Sequence, residues 1–460
     1  MQLLKAARAL AVLQAVSTAV GCVTPPDVPP DPPGASAKAS ASVTAAPIEE
    51  IPEPASLYQE SDSAPIALRP RIARTVRCNG EVCVRGEALD DPTFDATLAV
   101  ASRALRGLVA LGLTSLPSDG VAGGDGRLDI YLDTTRDRPA AFVDPGSIAN
   151  GFDQGTAYVV APLTRDDCPS QQRLAGAVAA TILLHHDSAL EPNSLSMLSD
   201  YLATVIEPCT IAELEAIDTT QRSPERTFTG SLGEVGPGSF LFPWFLEDRY
   251  GTRDPGRLTM ALAGIASQHT KAGPMLDEPD VFDALRVTQH GNGLSLADTL
   301  LGFAVDRAFI GSRSDETHLV DVAKYGELGR VRIEWAIDAT TLPRRLRPLR
   351  PIAPLGMTYF WLDFSKPGAP NEFTFAAEWE QPVVFRWAIV RVDAQGSELG
   401  RQELAPVLGN TTLQVDVRDV HGAAGVLVVG VNEGEERRDE PFDPGRPREP
   451  AHSYAVTFYP

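Results

Sequence analysis

His185, His186 and Asp200 are the side chains of this 460-residue chain whose types and spacing could hold a metal ion. They lie in Leu174–Glu207, LAGAVAATILLHHDSALEPNSLSMLSDYLATVIE. A hydrolytic zinc takes three protein ligands, keeps one position for water, and needs a carboxylate base beside it. Side chains four apart on a helix share a face, so Thr181 and His185 point the same way. Thr181 offers only a hydroxyl there, and Ile182 next to it is a hydrocarbon that accepts no proton. His185 and Asp200 are thus two candidate ligands without a base. His186 is turned by about 100° from His185 if the helix is regular. A site built from His185, His186 and Asp200 therefore requires the helix end to fray.

These residues need a helix pair to position them. Ser170–His186 reads as the first helix, with Ser170 as its N-cap, and the segment carrying Asp200 as the second. Upstream, Leu98, Ala101, Leu105, Leu108 and Leu111 recur at helical spacing within Phe94–Gly112. Strands are expected at Leu128–Leu132 and at Thr156–Ala161, TAYVVA, which is rich in β-formers. Downstream, Gly238–Gly251 reads as a helix closed by a glycine, followed by amphipathic helices at Arg257–Ser267 and Ser295–Gly311. Near Ile333 the period changes to alternation. Tyr359–Phe364, Phe373–Trp379, Val383–Val392, Thr412–Val417, Val426–Val431 and Tyr454–Tyr459 read as strands of an antiparallel sandwich of about seven. Trp361, Trp379 and Trp387 are expected in its core.

Thr181-Ile182-Leu183-Leu184-His185 and Leu198-Ser199-Asp200-Tyr201-Leu202-Ala203 resemble the H-E-x-x-H helix and the third-ligand helix of the zincin metallopeptidases, of the gluzincin kind. The resemblance covers roughly residues 75–315. It implies an α+β chain: a degenerate zincin-like domain at 73–332, with a small sheet and a mainly helical C-terminal half, then an all-β antiparallel sandwich at 333–460. Thr181, Ile182, His185 and Asp200 become vestigial site positions, with Thr181 for the first imidazole, Ile182 for the base and Asp200 for a glutamate. No catalytic residue and no cofactor is expected. The reading implied is a pseudoenzyme that binds protein or peptide. The alternative is an atypical zinc metallohydrolase using His185, His186 and Asp200.

Lys5 and Arg8 followed by an apolar run from Ala9 to Val20 have the layout of a secretory signal over residues 1–21, too short for a permanent span. Ala19-Val20-Gly21-Cys22 resembles the bacterial lipobox, with Ala where Leu is usual, and implies acylation of Cys22 and a bilayer as partner. Residues 22–72, rich in Pro, Ala, Ser and acids, read as a disordered tether. Together these predict an exported protein, lipid-anchored at the bacterial cell envelope. With Cys22 acylated, four cysteines remain, an even number suited to an oxidising compartment. Cys78 and Cys83 flank an Asn-Gly turn and are expected to pair. Cys168 and Cys209 bracket the helix pair and would staple it, the alternatives being free thiols or zinc ligands.

The formal net charge of −21 repels phosphate backbones and excludes nucleic acid as a partner class. The acids of Asp119–Asp133 suggest a calcium loop. With Gly126 as the loop glycine, however, Val121 and Gly123 fall at ligand positions, so a turn feeding a strand is the reading. No G-x-S-x-G elbow, P-loop or dinucleotide fingerprint stands in a suitable setting. His269, His290, His318, His421 and His452 are scattered and suggest no triad.

Overall fold

A hairpin opens the fold of the computed structural model. It describes residues 67–70, 75–87, 91–113, 126–148, 155–190, 192–226, 238–252, 254–267, 280–315, 317–406, 409–435 and 450–460. The expected signal, Cys22 and nearly all of the expected tether lie outside these residues. In the hairpin β1 (Thr75–Asn79) pairs with β2 (Val82–Gly86), and Cys78 faces Cys83 across it in a disulfide. Asn79 pairs with Val82, so the two loop residues are Gly80 and Glu81 and the turn lies one position beyond the expected Asn-Gly.

Helix α1 (Asp91–Ala110) crosses from β2 to the parallel strand β3 (Leu128–Leu132). Leu98, Ala101, Leu105 and Leu108 form its buried stripe, and Leu111 is partly buried just beyond it. Strands β4 (Ala140–Val143) and β5 (Ala157–Ala161) complete a mixed sheet of order β1-β2-β3-β5-β4, with β5 parallel to β3 and β4 antiparallel to β5. Ile130 and Val159 point to the helices. Asp129, Tyr131 and Tyr158 belong to the other face, where Arg69 stacks on Tyr158 and pairs with Asp129. Residues 67–70, assigned from sequence to the tether, thus lie against the sheet, and the Ala67 amide donates to the Val143 carbonyl.

Seven helices follow: α2 (Cys168–His186), α3 (Pro192–Ile206), α4 (Thr210–Gln221), α5 (Leu241–Tyr250), α6 (Arg257–Ala266), α7 (Val281–Gly291) and α8 (Leu296–Arg307). Asp167, not Ser170, caps α2: its carboxylate accepts from the Ser170 amide at 2.7 Å. Ser170 already lies inside the first turn, so it supplies a donor rather than the acceptor. The second expected disulfide, Cys168–Cys209, joins the start of α2 to the start of α4.

The C-terminal part is β structure: β6 (Trp335–Asp338), β7 (Arg344–Leu346), β8 (Met357–Asp363), β9 (Phe373–Trp379), β10 (Val383–Val392), β11 (Glu398–Leu404), β12 (Thr412–Val417), β13 (Gly425–Glu435) and β14 (Tyr454–Tyr459). One sheet runs β11-β10-β13-β8-β6 and the other β12-β9-β14-β7. All pairings are antiparallel except β6 with β8. Between the sheets lie Phe375, Phe385, Trp387, Val428, Tyr454 and Phe458. Gly430 is opposite Trp387, and a Cβ there would come within 2.5 Å of the indole.

The five-stranded sheet is apolar on both faces. Val426 and Val428 point to the second sheet, whereas Leu427, Val429 and Val431 enter the cluster built by α5, α7 and α8. Tyr359 on β8 donates its hydroxyl to the Ala304 carbonyl of α8 at 2.9 Å. Buried Arg307, at the end of α8, donates to the Thr220 carbonyl and the Gln221 side chain of α4, both at 2.6 Å. One core therefore crosses residues 332 and 333. Four of the five tryptophans lie beyond residue 333 and most helix lies before it. Tryptophan fluorescence and helical circular dichroism should report one coincident unfolding transition, and Tyr359→Phe should lower both together by about 1–2 kcal/mol. Separated midpoints would contradict a shared core.

Candidate functional site

Helix α2 is surrounded by protein. It packs on α1, α3, β4 and β5, and Leu174 through Leu184 are buried without a break. A helix apolar on all sides belongs in a core, and the run of Ala175, Gly176, Ala177, Ala179 and Ala180 lets its neighbours approach closely. At Gly176 the nearest neighbours across the helix pair are Ala203 and Asp200; an added Cβ would lie 3.5 Å and 3.7 Å from them.

Thr181 is fully buried, and its hydroxyl donates to the Val178 carbonyl one turn back at 2.7 Å. Ile182 is 1% exposed and packs in the cluster formed by α1, β3 and β5. Thr181 and Ile182 are thus packing positions. A shallow surface depression lies beside α2 near its first turns, lined by Asp137, Leu163, Thr164, Ser170, Arg173 and Leu174. Thr181, Ile182 and His185 do not line it.

His185 is partly buried at the last turn, with Nδ1 2.7 Å from the Gly155 carbonyl oxygen. A carbonyl only accepts, so Nδ1 carries the proton. The hydrogen-bond partner of His185 is thus the loop before β5. The ring of His186 lies 5.6 Å from that of His185, and burial, then the neighbouring imidazole, hold its pKa below the ordinary histidine value. Asp187 ends the helix, and its Oδ1 accepts from the Ala189 amide at 3.0 Å.

Asp200 lies elsewhere along the pair. Its carboxylate stands beside Gly176, nine residues before His185, roughly 13 Å away along the axis at 1.5 Å per residue. Ser196 donates its hydroxyl to Asp200 Oδ2 at 2.9 Å, and burial raises the Asp200 pKa to about 6 against the opposing charge of Arg138. His185, His186 and Asp200 are therefore not brought together, which corrects the three-ligand arrangement. Among the described residues no group of three His, Cys, Asp or Glu side chains is placed to hold a metal. The suggested calcium segment is likewise committed: Asp129 is held by Arg69 at 3.1 Å and Arg85 at 2.5 Å, and Asp133 accepts from Thr135.

A charged cluster that sequence reasoning passed over centres on His318, which is 3% exposed. Its Nδ1 lies 2.8 Å from Asp315 Oδ1, and its Nε2 2.8 Å from Glu398 Oε2 on β11. Arg401 on β11 pairs with Glu398 at 2.6 Å, and the imidazole stacks on Phe309 with centroids 3.8 Å apart. Asp306 on α8, held by Arg249 of α5 at 2.7 Å, adds negative charge nearby. The local signals were Asp315-x-x-His318 and Glu398-x-x-Arg401, but 80 residues separate His318 from Glu398.

No protein-family model matches the chain, and no curated protein matches it.

Asp200 titrates with a sign that can be checked. Its folded pKa is raised, so the stability it contributes is present below about pH 4 and lost as the pH rises through about 6. Asp200→Asn should therefore stabilise the protein at pH 8 by about 1–2 kcal/mol, with the gain vanishing near pH 4. Denaturant midpoints at the two pH values check this, and a loss of stability at pH 8 would contradict it.

Proposed function

We propose that this is an exported protein, anchored to a membrane of the cell envelope through acylated Cys22, whose 73–332 region is a zincin-like domain without catalytic machinery. In this reading the protein acts by binding protein or peptide, and 333–460 is a β-sandwich module fused to the domain through a common core.

The observation that carries the reading is the fate of Thr181 and Ile182. One hydroxyl is spent on its own helix and the other side chain is core, so the helix offers no ligand pair and no base. The order of elements supports the zincin-like assignment: after the β1–β2 hairpin come α1, the other three strands of the mixed sheet, and the helix pair α2 and α3. Export agrees with two disulfides, which persist in oxidising compartments. The added-strand mode of peptide binding has a precedent within the chain on β4, the last strand in the order of its sheet, whose Val143 carbonyl accepts the Ala67 amide of the chain's own segment. The metallohydrolase alternative gains nothing from the separation of Asp200 from His185.

Protein lacking residues 1–22 should retain no stoichiometric zinc after dialysis and should cleave no unfolded protein substrate. One bound zinc with chelator-sensitive cleavage would overturn the pseudoenzyme reading. For the full chain, Cys22→Ser should abolish fatty-acid labelling and move the protein out of the membrane fraction. Unchanged labelling would remove the anchor.

A further inference from the structure

We infer that His318 is a pH-dependent latch which, when protonated, holds the outer strand β11 against the segment following α8 and, when deprotonated, loosens it. The geometry fixes the protonation state. A carboxylate oxygen accepts hydrogen bonds and has no proton to give at neutral pH, and His318 faces one at each ring nitrogen, both at 2.8 Å. Only the imidazolium can donate to both. Neutral imidazole satisfies one and turns a lone pair toward the other.

The charges around the ring agree. On its own loop is Asp315, whose Oδ2 also accepts from the Glu398 amide at 3.3 Å. On β11 are Glu398 and Arg401, the latter with Nη2 3.2 Å from His318 Nε2. On α8 is Asp306, itself paired with Arg249 from α5. Three acids thus meet two arginines, and the set is neutral only when His318 carries the third positive charge. Phe309 covers one face of the ring. Thr317 adds a hydroxyl 3.4 Å from Nδ1. Burial alone would lower the His318 pKa; the hydrogen bonds to Glu398 and Asp315, with the charges of Asp306 and Asp315, outweigh it and raise the pKa above its ordinary value. The same contacts, working against its burial, hold Glu398 down at about 2.

The consequence falls on β11. Among the described residues this strand is the last in its sheet order and its backbone pairs only with β10, so the His318 cluster adds to that ladder and to the packing of Leu404. When His318 loses its proton, Nε2 becomes an acceptor that Arg401 can reach, and Glu398 keeps its arginine. The ion pairs within β11 survive, whereas the bridge to residue 318 weakens. The latch therefore contributes fully below about pH 6.5, and that contribution is lost as the pH rises through the higher folded value.

The test uses protein lacking residues 1–22. The His318 ring is titrated by NMR with labelled histidine, and amide exchange of 311–322 and 398–404 is followed from pH 5 to 9 after correction for intrinsic rates. His318 should titrate above the ordinary histidine value of about 6.5. Between that value and its midpoint, local opening of 398–404 should rise about tenfold per pH unit, while β9 stays unchanged. Glu398→Gln should lower the midpoint, and His318→Gln should remove the pH dependence. A midpoint at or below the ordinary value, or corrected exchange in 398–404 that is independent of pH in the unaltered protein, would overturn the latch.

Discussion

The structure depends on a sheet with no polar face. Strands β8, β10 and β13 place alternate residues in two separate apolar layers, so Val428 and Trp387 need the second sheet while Val429 and Val390 need the helices. Neither cover can be removed without exposing a row of branched side chains to water, at about 25 cal/mol per Å² of apolar area. Helix α8, backed by α5 and α7, is consequently less a separate layer than the other wall of the sheet. The polar ties follow the same seam. Tyr359 reaches the α8 backbone, and Arg307 spends its guanidinium on α4 rather than on an acid. An arginine this deeply buried is costly unless its donors are used, and here they fix how α4, α8 and β8 meet.

The same economy of faces explains the fate of the site on α2. A helix that carries chemistry must leave one face open to a cleft, with its ligands aimed into it. Helix α2 leaves none between Leu174 and Leu184, because α1, α3 and the sheet occupy every direction. The disulfide at its start fixes it to α4. Its first residues and its last turn reach exposure, and in the last turn His185 is committed to a backbone carbonyl. Asp200, the remaining acidic candidate, is pulled the other way along the pair. Gly176 and Ala203 set the close approach of the helices, and Asp200 lies beside that crossing. Thr181 and Ile182 are packing positions, a hydroxyl bonded within its own helix and a hydrocarbon in the core.

Much of this was legible because periodicity reports burial. The α1 stripe, β3 at its full length and the long strands of the C-terminal half follow from spacing, and both disulfides form between the cysteines expected to pair. Three strands there escaped notice for physical reasons. β7 is three residues long, β6 only four, and β11 reads ELGRQEL, with charges where alternation should show. Helix α4 carries almost no one-sided apolar pattern and is held by Glu213, which accepts from Tyr325 at 2.6 Å and pairs with Lys324. The cap of α2 was misplaced by three residues, since Asp167 and Ser170 are acceptor and donor of a single bond. His318 was invisible because its partners come from a loop, a helix and a strand that only the folded chain brings together. Residue type suggested chemistry at α2, and packing decided that Thr181 and Ile182 belong to the core.

The most direct test of that decision is to restore the pattern with the double substitution Thr181→His and Ile182→Glu in protein lacking residues 1–22, and to measure zinc content together with the denaturation midpoint. The imidazole would enter a fully enclosed position and the carboxylate an apolar cluster, so the variant should be destabilised by several kcal/mol and should bind no stoichiometric zinc. A variant as stable as its parent that holds one zinc per chain would show that α2 faces a working cleft after all.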